Sequence, residues 1–208
     1  MIYAFNLSTQ KNADTPEQEF WNWFISRTKQ IENFIDSEHT DYSIYHLLTK
    51  RMKAYHKEIV PELTKTKEDK YVVIITPDGA KSGIEPTIAL AAAKPHIENW
   101  IVEKFRQPCD EITLQLEGLT YPPSDIEVLP EIDFDKEVVN IHLFIRNLNN
   151  DPRKHKHLAF LYLDHILGEF NTLTKVGYIE FHNLDREKTV KDSITLLQLR
   201  ELIAKELY

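Results

Sequence analysis

Histidine and carboxylate recur within one stretch, residues 151–170, DPRKHKHLAFLYLDHILGEF. His165 and Glu169 are four residues apart, so on one continuous helix they share a face, while His157 and Asp164, seven apart, share another. An imidazole and a carboxylate one turn apart can give two ligands to Zn²⁺ or Fe²⁺, and His155 or His157 stands near enough to add a third. The chemistry in prospect is that of a metal-dependent hydrolase. Against it, no HExxH or other specific signature accompanies these residues, and an exposed helix face with a locally paired histidine explains them as well. The plainer explanation is preferred.

Three other groups invite the same comparison. The run Arg153-Lys154-His155-Lys156-His157 is the densest basic patch and could hold phosphate or an acidic partner. It falls in the first turn of a predicted helix, where the macrodipole disfavours cations, and a solvated turn is the simpler reading. In the loop 76–84, Asp78, Lys81 and Ser82 offer acceptor and donor groups where a strand meets a helix, a common place for ligands. Pro77, Asp78 and Gly79 are, however, already accounted for by a turn, read as type I. Cys109 stands beside Asp110, whose charge disfavours a thiolate nucleophile. Glu131, Asp133, Asp135 and Glu137 alternate along strand ends, are expected to face water, and lack the spacing of a calcium loop.

The elements that must position these groups are marked by period. Asp151 and Pro152 suit the cap and first position of a helix whose middle, 158–163, is apolar nearly all round and must be enclosed. Thr15-Pro16-Glu17-Gln18 reads as a capping box opening a helix to about Ser37, and Ile44, Leu48, Met52 and Tyr55 mark a second helix. Together they predict a helical hairpin over about 15–57. The remainder, about 58–208, carries the sheet. Strands are predicted at 58–64, an edge strand because of Pro61, and at 70–76. Helix is expected at 85–94 and again at 95–106, kinked or broken at Pro95. Alternation then marks strands at 112–117, 126–134 and 139–145, followed by the central helix, a strand at 178–184 and a closing helix at 190–207. A short strand is also expected at 2–7. No internal repeat is visible. The order predicts one α+β domain, a mainly antiparallel sheet with helices on one face, and a possible ferredoxin-like core within 70–184.

Composition narrows the function classes. The 208 residues, 42% of them hydrophobic, can bury a sizeable core. A formal charge of -8 argues against nucleic acid, whose binding rests on neutralised phosphates. The longest apolar runs, 158–163 and 88–93, fall far below the roughly 18 residues of a membrane span. The first twenty residues lack the pattern of a secretory signal, so the sequon Asn6-Leu7-Ser8 carries no weight and a cytoplasmic location is expected. A single cysteine agrees with a reducing compartment. The five glycines form neither a GxGxxG nor a P-loop pattern, and no cofactor is called for.

Four stretches also carry a resemblance: Trp21-Asn22-Trp23-Phe24; Ile74-Ile75-Thr76-Pro77-Asp78-Gly79; Pro95-His96-Ile97-Glu98-Asn99-Trp100 with Phe105 and Pro108; and Leu163-Asp164-His165-Ile166-Leu167-Gly168-Glu169-Phe170. In this order they resemble a family of uncharacterised bacterial proteins of about 200 residues. The resemblance covers most of the chain and implies a bacterial source. It brings no activity, cofactor or catalytic residue with it. The leading expectation is therefore a non-enzymatic protein that binds a protein partner, using Trp21 and Trp23 as exposed aromatics and the edge strand as a pairing surface. Self-association through the same surfaces is the further possibility.

Overall fold

Thr15 opens the first helix as its spacing requires: its hydroxyl accepts from the Gln18 backbone N–H at 3.3 Å, while the Gln18 side chain accepts from the Thr15 N–H at 2.9 Å. The computed structural model describes residues 13–37, 40–185 and 189–208. The expected strand at 2–7 and the Asn6 sequon lie outside the described residues. Helix α1 covers Pro16–Ile25 and α2 covers Thr28–Asp36, so the single helix expected to about Ser37 is broken at Ser26 and Arg27. Hydroxyls cause the break to hold: Ser26 donates to the Trp23 carbonyl at 2.7 Å and Thr28 to that of Ile25 at 3.0 Å.

After α3 (Ser43–Tyr55) come β1 (Val60–Lys65), β2 (Tyr71–Thr76), α4 (Ile84–Ala92) and β3 (Trp100–Lys104). β1 runs antiparallel to β2, and β3 lies parallel to β2 on its other side. The strand β3 replaces the helix expected over 95–106. Spacing at Ile97, Trp100, Ile101 and Phe105 imitates a helix, but Asn99 takes a left-handed φ of 62° that stops one. Trp100 then seats itself on Tyr71, its register partner, and against Phe24, with ring centroids 5.3 and 5.0 Å apart. The turn after β2 also differs from expectation. Ala80 N–H closes on the Pro77 carbonyl at 3.0 Å around Asp78 and Gly79, whose φ angles of 47° and 85° are both positive, the signature of a type I′ turn.

The second half begins with a minimal hairpin, β4 (Gln115–Leu116) and β5 (Leu119–Thr120), and of the strand expected at 112–117 only β4 forms. β6 (Ile126–Asp133) and β7 (Val138–Arg146) pair antiparallel. Helices α5 (Pro152–Leu167) and α6 (Glu169–Lys175) then lead to β8 (Val176–Leu184), parallel to β7. The chain ends in α7 (Leu196–Glu206), capped by Thr195. Ile194, expected inside that helix, instead bridges to Val128 with backbone bonds of 2.8 and 2.9 Å.

Each three-stranded sheet thus adds a parallel strand to an antiparallel pair, through one helix in the first (α4) and two in the second (α5 and α6), although the sequence shows no repeat. The fold is α+β; the described residues form three antiparallel strand pairs and two parallel ones, and the strands suggested for a ferredoxin-like core are divided among three sheets. Two apolar cores follow. One gathers Phe20, Trp21, Phe24, Leu48, Ile75 and Leu90, the other Ile141, Leu143, Leu158, Tyr162, Leu199 and Ile203. In the second, Leu158, Ala159, Tyr162 and Leu163 of α5 have no exposed surface. Burying each large side chain contributes about 1.5–3 kcal/mol, against about 1 kcal/mol for the Asp151 cap, so packing holds this helix. Phe160 departs from the expected enclosure: it is 41% exposed and leans on Phe181 with its centroid 5.5 Å away.

Candidate functional site

Arg106 stands two residues past the end of β3, and the left-handed φ of 64° at the intervening Phe105 turns the chain there so that the guanidinium is buried between the two halves. Four carboxylates converge on it. Glu62 of β1 accepts from Nε at 2.8 Å, Asp78 of the type I′ turn from Nη2 at 2.7 Å, and Asp164 of α5 from Nη1 at 2.9 Å. Glu169, at the start of α6, stands 3.6 Å from Nη1, accepts the Arg106 backbone N–H at 3.1 Å, and accepts the Thr76 hydroxyl at 2.6 Å. Gly168, with φ 85° and ψ 135°, separates α5 from α6 and lets residues five apart reach one cation from two helices.

Electrostatics follow from this crowding. Burial works against the Arg106 cation, yet the hydrogen bond and charge of Glu62, joined by Asp78 and Glu169, outweigh it and hold the guanidinium above its ordinary pKa. Asp164 is pushed up to about 7 by burial, which the Arg106 charge only partly offsets. His165 is held low, first by burial and then by the Arg106 charge. Four carboxylates against one guanidinium leave surplus negative charge at the seam.

Beside this cluster opens a cleft of about 360 Å³, within the range of ligand sites. Asp78 and Lys81 line one side and His157 and Asp164 another, while Phe160, Leu161, Leu173 and Ile179 supply apolar wall. A depression of about 490 Å³ between α2 and α3 is larger but holds one ionisable side chain, Asp41, whose carboxylate already accepts the Ser43 N–H at 2.9 Å. The cleft beside Arg106 is the candidate site.

The sequence-derived candidates divide accordingly. Asp78 and Lys81 reach the cleft, whereas Ser82 is exposed and does not line it. His157 lines it with Asp164, as their shared helix face required. His155 is buried elsewhere, stacked on Tyr121 at 5.5 Å with its Nδ1 2.8 Å from the Asp151 carbonyl. His165 and Glu169 fall on separate helices, and both Glu169 oxygens are engaged by Thr76 and Arg106. Among the described residues, the metal-ligating side chains that do cluster are on β7 and β8. Trp21 is 1% exposed and donates its indole N–H to the Leu90 carbonyl at 2.8 Å, so it belongs to the core and not to a surface. Trp23 is half-buried against that core. The Cys109 thiol, pushed up by burial, donates to the His165 carbonyl at 3.3 Å.

Sequence reasoning missed Arg106 altogether. The stretches 74–79 and 163–170 meet here, contributing Thr76, Asp78, Asp164 and Glu169, with Arg106 between Phe105 and Pro108. No protein-family model matches the chain, and no curated protein matches it in sequence.

Proposed function

We propose that this is a binding protein of the bacterial cytoplasm, not a hydrolase, and that its cleft receives a cationic side chain of a protein partner. One observation carries the reading: Asp78 and Asp164, anchored on Arg106, border a cleft that Phe160, Leu161, Leu173, Val176 and Ile179 also line with apolar surface. Lysine and arginine fit that pairing because their aliphatic stems pack on apolar surface while their heads keep polar company. The surplus of carboxylate over guanidinium favours an added cation, and Lys81, which is exposed, can swing aside. No helix among the described residues is long and apolar enough to cross a membrane. A peptide array probed with the purified chain tests the proposal. Peptides in which arginine or lysine is flanked by apolar residues are expected to bind, and Asp78→Asn with Asp164→Asn to abolish binding. Selection of acidic peptides, or unaltered binding by the double variant, would refute it.

A further inference from the structure

The outer face of the second sheet carries residues the cleft does not use. On β7, Val139, Ile141, Leu143 and Ile145 are fully buried, so His142 points away from the core with Phe144. Glu180 is the register partner of His142 on the parallel strand β8, and His182, two residues on, shares its face. Three donor atoms therefore meet: His142 Nδ1 lies 3.1 Å from His182 Nε2 and 3.1 Å from Glu180 Oε2, and His182 Nε2 lies 3.8 Å from the same oxygen. A triangle with those sides has a circumradius of about 2.0 Å. A point thus exists about 2.0 Å from every donor, and zinc binds histidine nitrogen and carboxylate oxygen at roughly 2.0–2.2 Å.

We infer that His142, Glu180 and His182 form a binding site for one divalent transition-metal ion, with zinc the expected occupant. Two imidazoles and one carboxylate suit zinc and, as a facial set, ferrous iron; the absence of thiolate and the small number of carboxylates disfavour copper(I) and calcium. The site is built before an ion arrives. Phe144 stacks on the His182 ring at 4.7 Å and 19°, fixing its plane, and the strand register fixes the spacing of all three. Side-chain exposures of 34%, 45% and 33% leave the donors open to solvent on one side, so an ion held here keeps a position for water or an exogenous ligand. The inference stands apart from the cleft and from any partner bound there.

Untagged full-length protein, freed of metal with chelator, is titrated with Zn²⁺ by calorimetry and with Co²⁺ by visible absorption. One ion per chain is expected for both, with the cobalt spectrum reporting nitrogen and oxygen ligation. His142→Ala, His182→Ala and Glu180→Gln should each weaken zinc binding by more than about tenfold, since even partners one shell further out are worth that much. Asp164→Asn should bind zinc as the unaltered chain does. All three altered side chains are partly exposed, so thermal unfolding in chelator should match the unaltered protein. Should any variant fail to fold, zinc-dependent shifts of the His142 and His182 ring signals in the unaltered protein carry the test. Failure to bind zinc, rings that ignore it, or binding that survives His142→Ala would overturn the site.

Discussion

At the scale of single residues, Asp164 sets a testable pH dependence. Its carboxyl is pushed up to about 7 by burial, against about 3.9 in an unfolded chain. Between those values the folded protein keeps a proton that the unfolded chain has released, so stability falls as pH rises through the window and levels off above about 7. His165, held low, acts in the opposite sense below its ordinary value, so the informative quantity is the difference between the protein and Asp164→Asn. From pH 5 to pH 7 the unaltered protein should lose on the order of 1–2 kcal/mol more than the variant in urea denaturation. Parallel profiles would mean that the Asp164 proton is not linked to folding.

At the scale of elements, the turn that delivers Asp78 is supported from below by Gly83. A Cβ there would stand 2.6 Å from Pro77 Cβ, in a ring that cannot swing aside, so Gly83→Ala should cost about 1–3 kcal/mol in chemical denaturation and move Asp78 off Arg106. Gly79→Ala differs in kind: no atom lies within 4 Å, and only its φ of 85° resists the change. How far the sequence revealed these elements depended on range. The Thr15 and Asp151 caps and the alternation of β7 are local, and all were legible. So was the face shared by His157 and Asp164, although not its position on a cleft. β3 was misread because one residue, Asn99, and a partner strand about thirty positions earlier decide it, and neither enters a helical period. Arg106 was invisible because its carboxylate partners are 28 to 63 residues away, and charge pairing at that distance leaves no periodic mark. His142 followed the polar parity of its strand, and Glu180 with His182 showed the two-residue spacing of a strand face, a signal available but not used.

For the whole molecule, the major packing of element on element lies within one half or the other, each with its own apolar core. Arg106 and the chain beside it join them, with Phe105 against Phe170 at 5.3 Å and the Glu169 N–H on the Arg106 carbonyl at 3.0 Å. Removing one partner of a buried ion cluster leaves unpaired charge and costs about 3–5 kcal/mol. Arg106→Met should therefore do more than destabilise: it should let the halves unfold separately. All three tryptophans, at 21, 23 and 100, lie in the first half, so their fluorescence reports that half alone while circular dichroism reports both. The two signals should coincide in the unaltered protein and separate in Arg106→Met; coincidence in both would show that the halves are coupled by other contacts. Cys109 adds a consequence of its own. As the chain's sole thiol, partly buried and tied by its backbone N–H and sulfur to the His165 carbonyl in the last turn of α5, it gives one defined labelling point just past Arg106. A fluorophore attached there would stand beside the link between the halves and give the second half a reporter to match the tryptophans of the first.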